Sequence, residues 1–472
     1  MSDTSSTEVK YPVTTRAFGL AIIVLSGLQL MVVLDGTVAN LALAPLQADL
    51  GLSDAGRNWV LTSYALAFGG LMLLGGRLGD AFGRKKMFLA GVVLFTIASL
   101  LCGLAVNEAT LVAARALQGV GAAVASPTAF ALVATTFAPG PVRNQAIAIY
   151  AAMTGVGSIA GLIIGGALTE VSWRWIFLIN VPIGVVIVVL AVVSLQETVG
   201  ARLPLDVPGA ILATLGCTGV VLALSEGTEL GWTNPIVIVS LLAGLLFLGL
   251  FLMVERRADN PLLPFSLFGS RDRVATFVAI FFAGGVMFCL AAYVALFVQD
   301  ILGYSPLHAG LAFVPFAFGL GAAAFLASQL VTRIAPRWLI LSGAVIMVGW
   351  LMVSVATMNA DSSYFPGLFF PVIGIGFGVG LTVVPLPLCA IAGVSPTEIG
   401  PLTAIALVAQ TLGGPLALAV IGALVTSRTL SLGGISGPAT LMNDTQLDAL
   451  SSGYMFALFC CAVCAVVAGI AA

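Results

Sequence analysis

Leu34-Asp-Gly-Thr-Val-Ala-Asn-Leu-Ala-Leu-Ala-Pro45 places an aspartate, Asp35, inside the first membrane-length apolar run of the chain. That run extends over residues 17–43, and a bilayer span needs roughly 20 apolar residues rising about 1.5 Å each. With the span centred near Met31, the Asp35 carboxylate lies about 6 Å beyond the midplane. An ionisable group at that depth is unfavourable unless it faces a polar interior, so Asp35 reads as functional. The competing reading is an aspartate near a helix end reaching for the interface, with Asn40 and Pro45 marking that end.

The composition fixes the class. The 472 residues are 60% hydrophobic and 8% charged, with a mean hydropathy of +1.14, against roughly 25% charge in soluble domains. This is an all-α polytopic membrane protein, and its net charge of −2 makes no case for nucleic acid. Apolar runs fall at 17–43, 58–78, 87–106, 109–133, 145–168, 176–195, 207–225, 235–254, 274–298, 308–331, 337–357, 365–388, 399–424 and 453–472, giving fourteen expected spans. The segment from Lys10 to Arg16 is followed by no small-residue cleavage site, so the first run reads as an uncleaved span. Placing the N-terminus in the cytoplasm puts Lys10, Arg16, Arg77, Arg84, Lys85, Lys86, Arg143, Arg202, Arg256, Arg257, Arg271, Arg273, Arg333 and Arg337 inside, and leaves Arg57, Arg174 and Arg428 in outer loops. Fourteen cations against three, with Arg115 inside a span, follow the positive-inside rule and place a multi-pass protein in the cell membrane.

Residues 196–206 and 255–273 are polar and Pro-bearing, as linkers are. They divide the chain into a six-span half (1–198), a two-span insert (199–258) and a second six-span half (259–472). The halves echo each other. Gly76-Arg-Leu-Gly-Asp-Ala-Phe-Gly-Arg-Lys-Lys86 follows the second span of one, and Ser328-Gln-Leu-Val-Thr-Arg-Ile-Ala-Pro-Arg337 the second span of the other. A glycine run ending in proline recurs as Gly119 to Pro127 in the fourth span and Gly374 to Pro385 in the twelfth. Internal repeats with binding at their interface are a common plan of secondary transporters.

Gly76-x-Leu78-Gly79-Asp80-x-x-Gly83-Arg84-Lys85-Lys86 resembles the signature loop of the major facilitator superfamily. Leu34-Asp35-x-Thr37-Val38-x-Asn40-x-Ala42-Leu43 resembles the first-span motif of its fourteen-span drug:proton antiporters, and Leu111-x3-Arg115-x2-Gln118-Gly119 their fourth-span motif. Trp173-Arg-Trp-Ile-Phe-Leu-Ile-Asn-Val-Pro-Ile-Gly184 resembles the start of their sixth span. The Thr169–Trp175, Val254–Pro261 and Ser427–Leu430 stretches are similar to actinobacterial EfpA-type efflux proteins. The resemblance implies a major facilitator fold of two six-helix halves plus two inserted helices, with the first and fourth spans lining the amino-terminal half of a cavity. It also implies that Asp80 and Arg84, flanked by Gly76 and Gly83, form a hydrogen-bonded gate latch.

One departure concerns the fifth span. The family's Gly-Pro pair is replaced by Gly161-Leu162, while Gly157, Gly161 and Gly165 still recur every four residues and form one smooth face. That face is expected to meet the tenth span across the interface between halves, where Gly310, Gly319 and Gly321 leave room.

Arg115 lies about 9 Å from the end of its span, a depth close to that of Asp35 approached from the other side. The two are therefore expected to face each other. A proton on Asp35 would then free Arg115, and its departure would draw them together; a permanent structural ion pair is the alternative. Asn40, Gln118, Phe281, Phe288, Phe316 and Phe377 are candidates to line the substrate cavity. Cys461-Ala-Val-Cys464 stands without a second pair and reads as small apolar filler, with no metal site. His308 carries no assignment.

An ATP-driven pump needs G-x-x-x-x-G-K-[ST], and the only lysines are Lys10, Lys85 and Lys86. An intramembrane enzyme needs clustered catalytic groups, and the spans supply one aspartate and one arginine. A channel needs no proton carrier. The expected function is therefore proton-coupled antiport, by alternating access, of hydrophobic or amphiphilic compounds, with the proton as coupling ion and neither cofactor nor ATP. Movement of lipids or other long-chain amphiphiles is the alternative, favoured by a carboxyl-terminal half without an intramembrane acid.

Overall fold

The computed structural model describes residues 15–137, 141–197, 206–257, 269–331, 333–359, 362–390 and 396–471. Among them every regular element is helical: α1 (Thr15–Leu50), α2 (Asp54–Phe82), α3 (Arg84–Gly103), α4 (Glu108–Thr136), α5 (Pro141–Val171), α6 (Trp175–Leu178), α7 (Asn180–Ser194), α8 (Val207–Leu230), α9 (Pro235–Glu255), α10 (Arg271–Leu296), α11 (Pro306–Ala312), α12 (Val314–Leu330), α13 (Pro336–Thr357), α14 (Phe369–Val383), α15 (Pro385–Ala390), α16 (Pro396–Ser431) and α17 (Asp444–Ala471), with short π and 3-10 turns. Thirteen stretches among the described residues are long and apolar enough to cross a bilayer, and the fourteenth expected span, 145–168, falls inside α5. The expected boundaries near residues 198 and 258 lie outside the described residues.

Among the described residues three spans are broken near a proline. Proline lacks the N–H that would bond the carbonyl four residues back, and its ring clashes with that carbonyl. Pro182, Pro315 and Pro387 accordingly sit four residues after Leu178, Leu311 and Val383, and the breaks fall between, at Ile179, Phe313 and Val384. The fifth span has leucine where the family has proline, and α5 runs without interruption.

The two halves repeat one pairing scheme. In the first, α1 packs on α5, α2 on α4, and α3 on α4 and α7; in the second, α10 packs on α16, α12 on α14, and α13 on α14 and α17. The first, second and third spans of each half thus choose equivalent partners. Between the halves, α2 meets α16, α5 meets α11, and α1 meets α10. The inserted α8 lies over the α2–α16 seam, where Trp59, Leu66, Val221 and Ala419 bury one another, and α9 rests on α8 at the periphery.

The glycine face of α5 packs differently from expectation. Gly157, Gly161 and Gly165 lie against Val33, Leu34 with Thr37, and Val38 of α1, inside the same half. One residue further round, about 100° away, Leu162 and Gly166 form the face that crosses to the other half: Gly310 reaches the Leu162 carbonyl, and Gly166 lies on Pro306 and Leu307. Gly319 packs on Ile373 and Phe377 within the second half, and Gly321 has open space. Periodicity marks a smooth face but not its partner.

Candidate functional site

The bundle has a basic end, where α2 turns into α3 through Gly83, and a far end, where residues 51–53 and 104–107 turn. Asp35 lies between them, on α1, with 2% of its surface exposed. Its carboxylate collects three donors from two other elements. Arg115 Nη1 donates to Oδ2 at 2.7 Å, while Gln118 Nε2 and Asn180 Nδ2 donate to Oδ1 at 2.7 and 2.8 Å. Arg115 is held in turn: Nε donates to the Val60 carbonyl, Nη1 also reaches Gln118 Oε1, and the guanidinium carbon stands 4.4 Å from the Tyr64 ring centroid. Gln118 further donates to Ser99 Oγ. Five elements, α1, α2, α3, α4 and α7, thereby fix one buried ion pair. The depths inferred from the sequence bring Asp35 and Arg115 together, and the break at Ile179 lets Asn180 begin α7 beside them.

The candidate cavity residues divide. Gln118, with no exposed surface, belongs to the carboxylate network rather than to a cavity wall. Asn40 donates to the Gly36 carbonyl of its own helix. Phe281 and Phe288 lie along the α10–α16 contact beside Gly413 and Gly414, whereas Phe316 and Phe377 lie along α12–α14 beside Gly376 and Gly319. The four thus border two different helix seams of the second half. At the basic end, Arg84 makes an ion pair with Asp80 at 2.7 Å and reaches the Ala131 carbonyl of α4. Gly79 lies against Thr128 of α4, and Gly83 takes a φ of +102°, the left-handed region that favours glycine. Gly76 lies near Pro127.

Several residues carry more than their sequence positions indicate. Lys85 donates to the Val192 and Leu195 carbonyls and so closes the C-terminal end of α7, beyond any role in topology. Arg57 is no loop cation: it occupies the first turn of α2 with 4% exposure, surrounded by Gln47, Asp54 and Asp300. His308 Nδ1 lies 2.8 Å from Ser305 Oγ, which donates to Glu170 of the other half. The burial of Arg57 has no local signal, because it follows from the docking of one half on the other.

Residues 25–418 match the family model described as Major Facilitator Superfamily. The chain belongs to that family. It is 54% identical over 455 residues to the MFS-type transporter EfpA of Mycobacterium tuberculosis, covering 96% of this chain and 86% of that one. It is 40% identical over 394 residues to a puromycin resistance protein of Streptomyces alboniger, covering 82% and 78%. Its fold is similar to that of a bacterial homologue of the human lysosomal transporter Spinster in an inward-facing and occupied conformation, with a TM-score of 0.69, 16% identity and 97% of each chain covered. The protein is therefore a multi-pass membrane transporter of the Major Facilitator Superfamily, not an enzyme, and its relatives include drug-resistance proteins.

Proposed function

We propose that this transporter is a proton-coupled antiporter that exports hydrophobic or amphiphilic compounds across the cytoplasmic membrane by alternating access. The proton is its coupling ion, and the basic end, with the N-terminus, faces the cytoplasm. The observation that carries the reading is the buried Asp35–Arg115 pair and the amides around it. Every contact to the carboxylate comes from an N–H donor, so the arrangement suits the anion. A proton on Asp35 confronts those donors with an O–H and weakens the hold on Arg115. Asn180 offers an answer to that change. Its Oδ1 has no hydrogen-bond partner among the described residues, and a half-turn of the amide presents this oxygen to a protonated Asp35. Loading and unloading the carboxylate thus exchanges two hydrogen-bonded arrangements that link α1, α4 and α7, and only such a differential contact shifts a conformational equilibrium.

The cation asymmetry supports the orientation, fourteen against Arg174 and Arg428 once the buried Arg57 is set aside. The names of relatives, a puromycin resistance protein and a cephamycin export protein among them, support export of drug-like compounds. An uncharged midsection in every span of the second half also favours lipids or other long-chain amphiphiles as cargo. Each proton entering down a potential of about 100 mV releases roughly 2.3 kcal/mol, enough for about a fiftyfold gradient of a neutral solute exchanged one for one. In proteoliposomes with an internal pH dye, adding an amphiphilic drug or a lipid analogue should move protons in the opposite sense; cargo movement with no proton countermovement would overturn antiport.

A further inference from the structure

At the far end, outer on the orientation proposed above, the two halves enclose a second set of buried charges. From the first half come Gln47 of α1 and Asp54 and Arg57 of α2; from the second come Asp300, in the π turn that ends α10, Tyr454 of α17 and Ser436 of the loop before α17. Gln47 Nε2 donates to Asp54 Oδ1, Arg57 Nη1 to Gln47 Oε1, Ser436 Oγ to Asp54 Oδ2, and Tyr454 Oη to Asp300 Oδ2 at 2.7 Å. Tyr293, on the same helix as Asp300, lies against the Tyr454 ring, and Glu108 of α4 abuts the first turn of α2 at Gly56. Within the set, two carboxylates share one cation, and their side chains are 10 and 11% exposed. A surplus negative charge in such a place is unfavourable unless it is neutralised.

The two carboxylates are unequally served. Asp54 begins a helix, where the backbone dipole favours an anion, and receives two side-chain donors; Asp300 ends a helix, where the dipole opposes one. Arg57 stands 4.0 Å from Asp300, and its Nε has no acceptor among the described residues. We propose that closing the outer end takes up one proton at this seam, with Asp300 as its acceptor, and that opening it exposes Asp300 to outer water and releases the proton. Asp54 and Arg57 travel together on α2, so only Asp300 parts from its countercharge when the halves separate. The proposal deepens the antiport reading: a proton arriving from outside favours the state sealed on that side, distinct from the exchange at Asp35.

The test is a distance. Spin labels at Val106→Cys and Leu441→Cys, both 75% exposed and on opposite halves at the far end, are placed in a variant lacking the native cysteines and measured by pulsed electron resonance in nanodiscs. Both faces there share one pH, so the result does not depend on orientation, and every variant is repeated with Asp35→Asn, which separates this site from the other. On the Asp35→Asn background, where this seam is the proton site being read, the expected result is a closed-to-open ratio falling about tenfold per pH unit through the titration. On that same background Asp300→Asn should stay closed and flat from about pH 5 to about pH 9, and Arg57→Gln, with two carboxylates to neutralise, should steepen the slope. A flat ratio with Asp300 present, a wild-type slope in Asp300→Asn, or an unchanged slope in Arg57→Gln would overturn the proposal.

Discussion

Asp35 receives its donors from residues that lie 80, 83 and 145 positions away, and that separation decides what was readable. Depth within a span is a one-dimensional quantity, so Asp35 and Arg115 could be matched from the sequence. Whether the Gln118 amide faces a cavity or a carboxylate depends on rotation about the helix axis, and the glutamine gives no sign of it. Gln118→Leu removes donors to both Asp35 and Ser99 and should lower stability by about 1–3 kcal/mol; Ser99→Ala, which deletes the bond from Gln118 and one to the Phe95 carbonyl of its own helix but leaves the Asp35 contact, should lie at the foot of that range. Thermal unfolding followed by tryptophan emission reads both, and equal effects would place the energy elsewhere. Lys85 and Lys86 are neighbours of the same charge but not of the same role. Lys85→Ala should destabilise by about 1 kcal/mol through the freed α7 carbonyls, while exposed Lys86→Ala should stay within about 0.5 kcal/mol.

Helices were the easiest level to read, because apolar length is unambiguous in a bilayer, but their breaks were not, since Pro45 and Pro127 lie inside uninterrupted helices while Pro182, Pro315 and Pro387 follow breaks. Partners were harder. The four-residue glycine repeat of α5 marks a close approach, but α1 rather than the tenth span fills it, since the face one residue on carries the contact between halves. Gly165 leaves no room for a side chain: a Cβ there would stand 2.6 Å from both Val38 methyl groups. Gly165→Leu should therefore displace α1 together with Asp35, lowering both melting temperature and pH-driven transport. Gly249→Ala in α9, with nothing within 4 Å, should leave both unchanged or gain up to about 1 kcal/mol from helix propensity. Transport retained at wild-type level in Gly165→Leu would mean that α1 can shift without consequence for coupling.

Across the molecule, the repeat seen in two glycine–proline runs and two basic loops becomes a repeat of helix pairing, whereas the polar seam at the far end was invisible until the halves met. Charges inside the spans are few, and the Asp35 carboxylate is engaged with Arg115, so a compact dication finds no acid there to neutralise it. Neutral or singly charged amphiphiles should accordingly be moved better than divalent cations on the same hydrophobic scaffold. Competition binding with such a matched series checks this, and preference for the divalent members would point to an acid near the cavity, Asp300 and Glu398 first; the Glu398 side chain lies outside the described residues. The central claim, that Asp35 carries the coupling proton, is tested most directly by cargo accumulation in proteoliposomes under an imposed pH gradient, measured beside gradient-free exchange of labelled cargo. Asp35→Asn should abolish accumulation while retaining exchange; accumulation against the gradient at the wild-type rate would contradict the account.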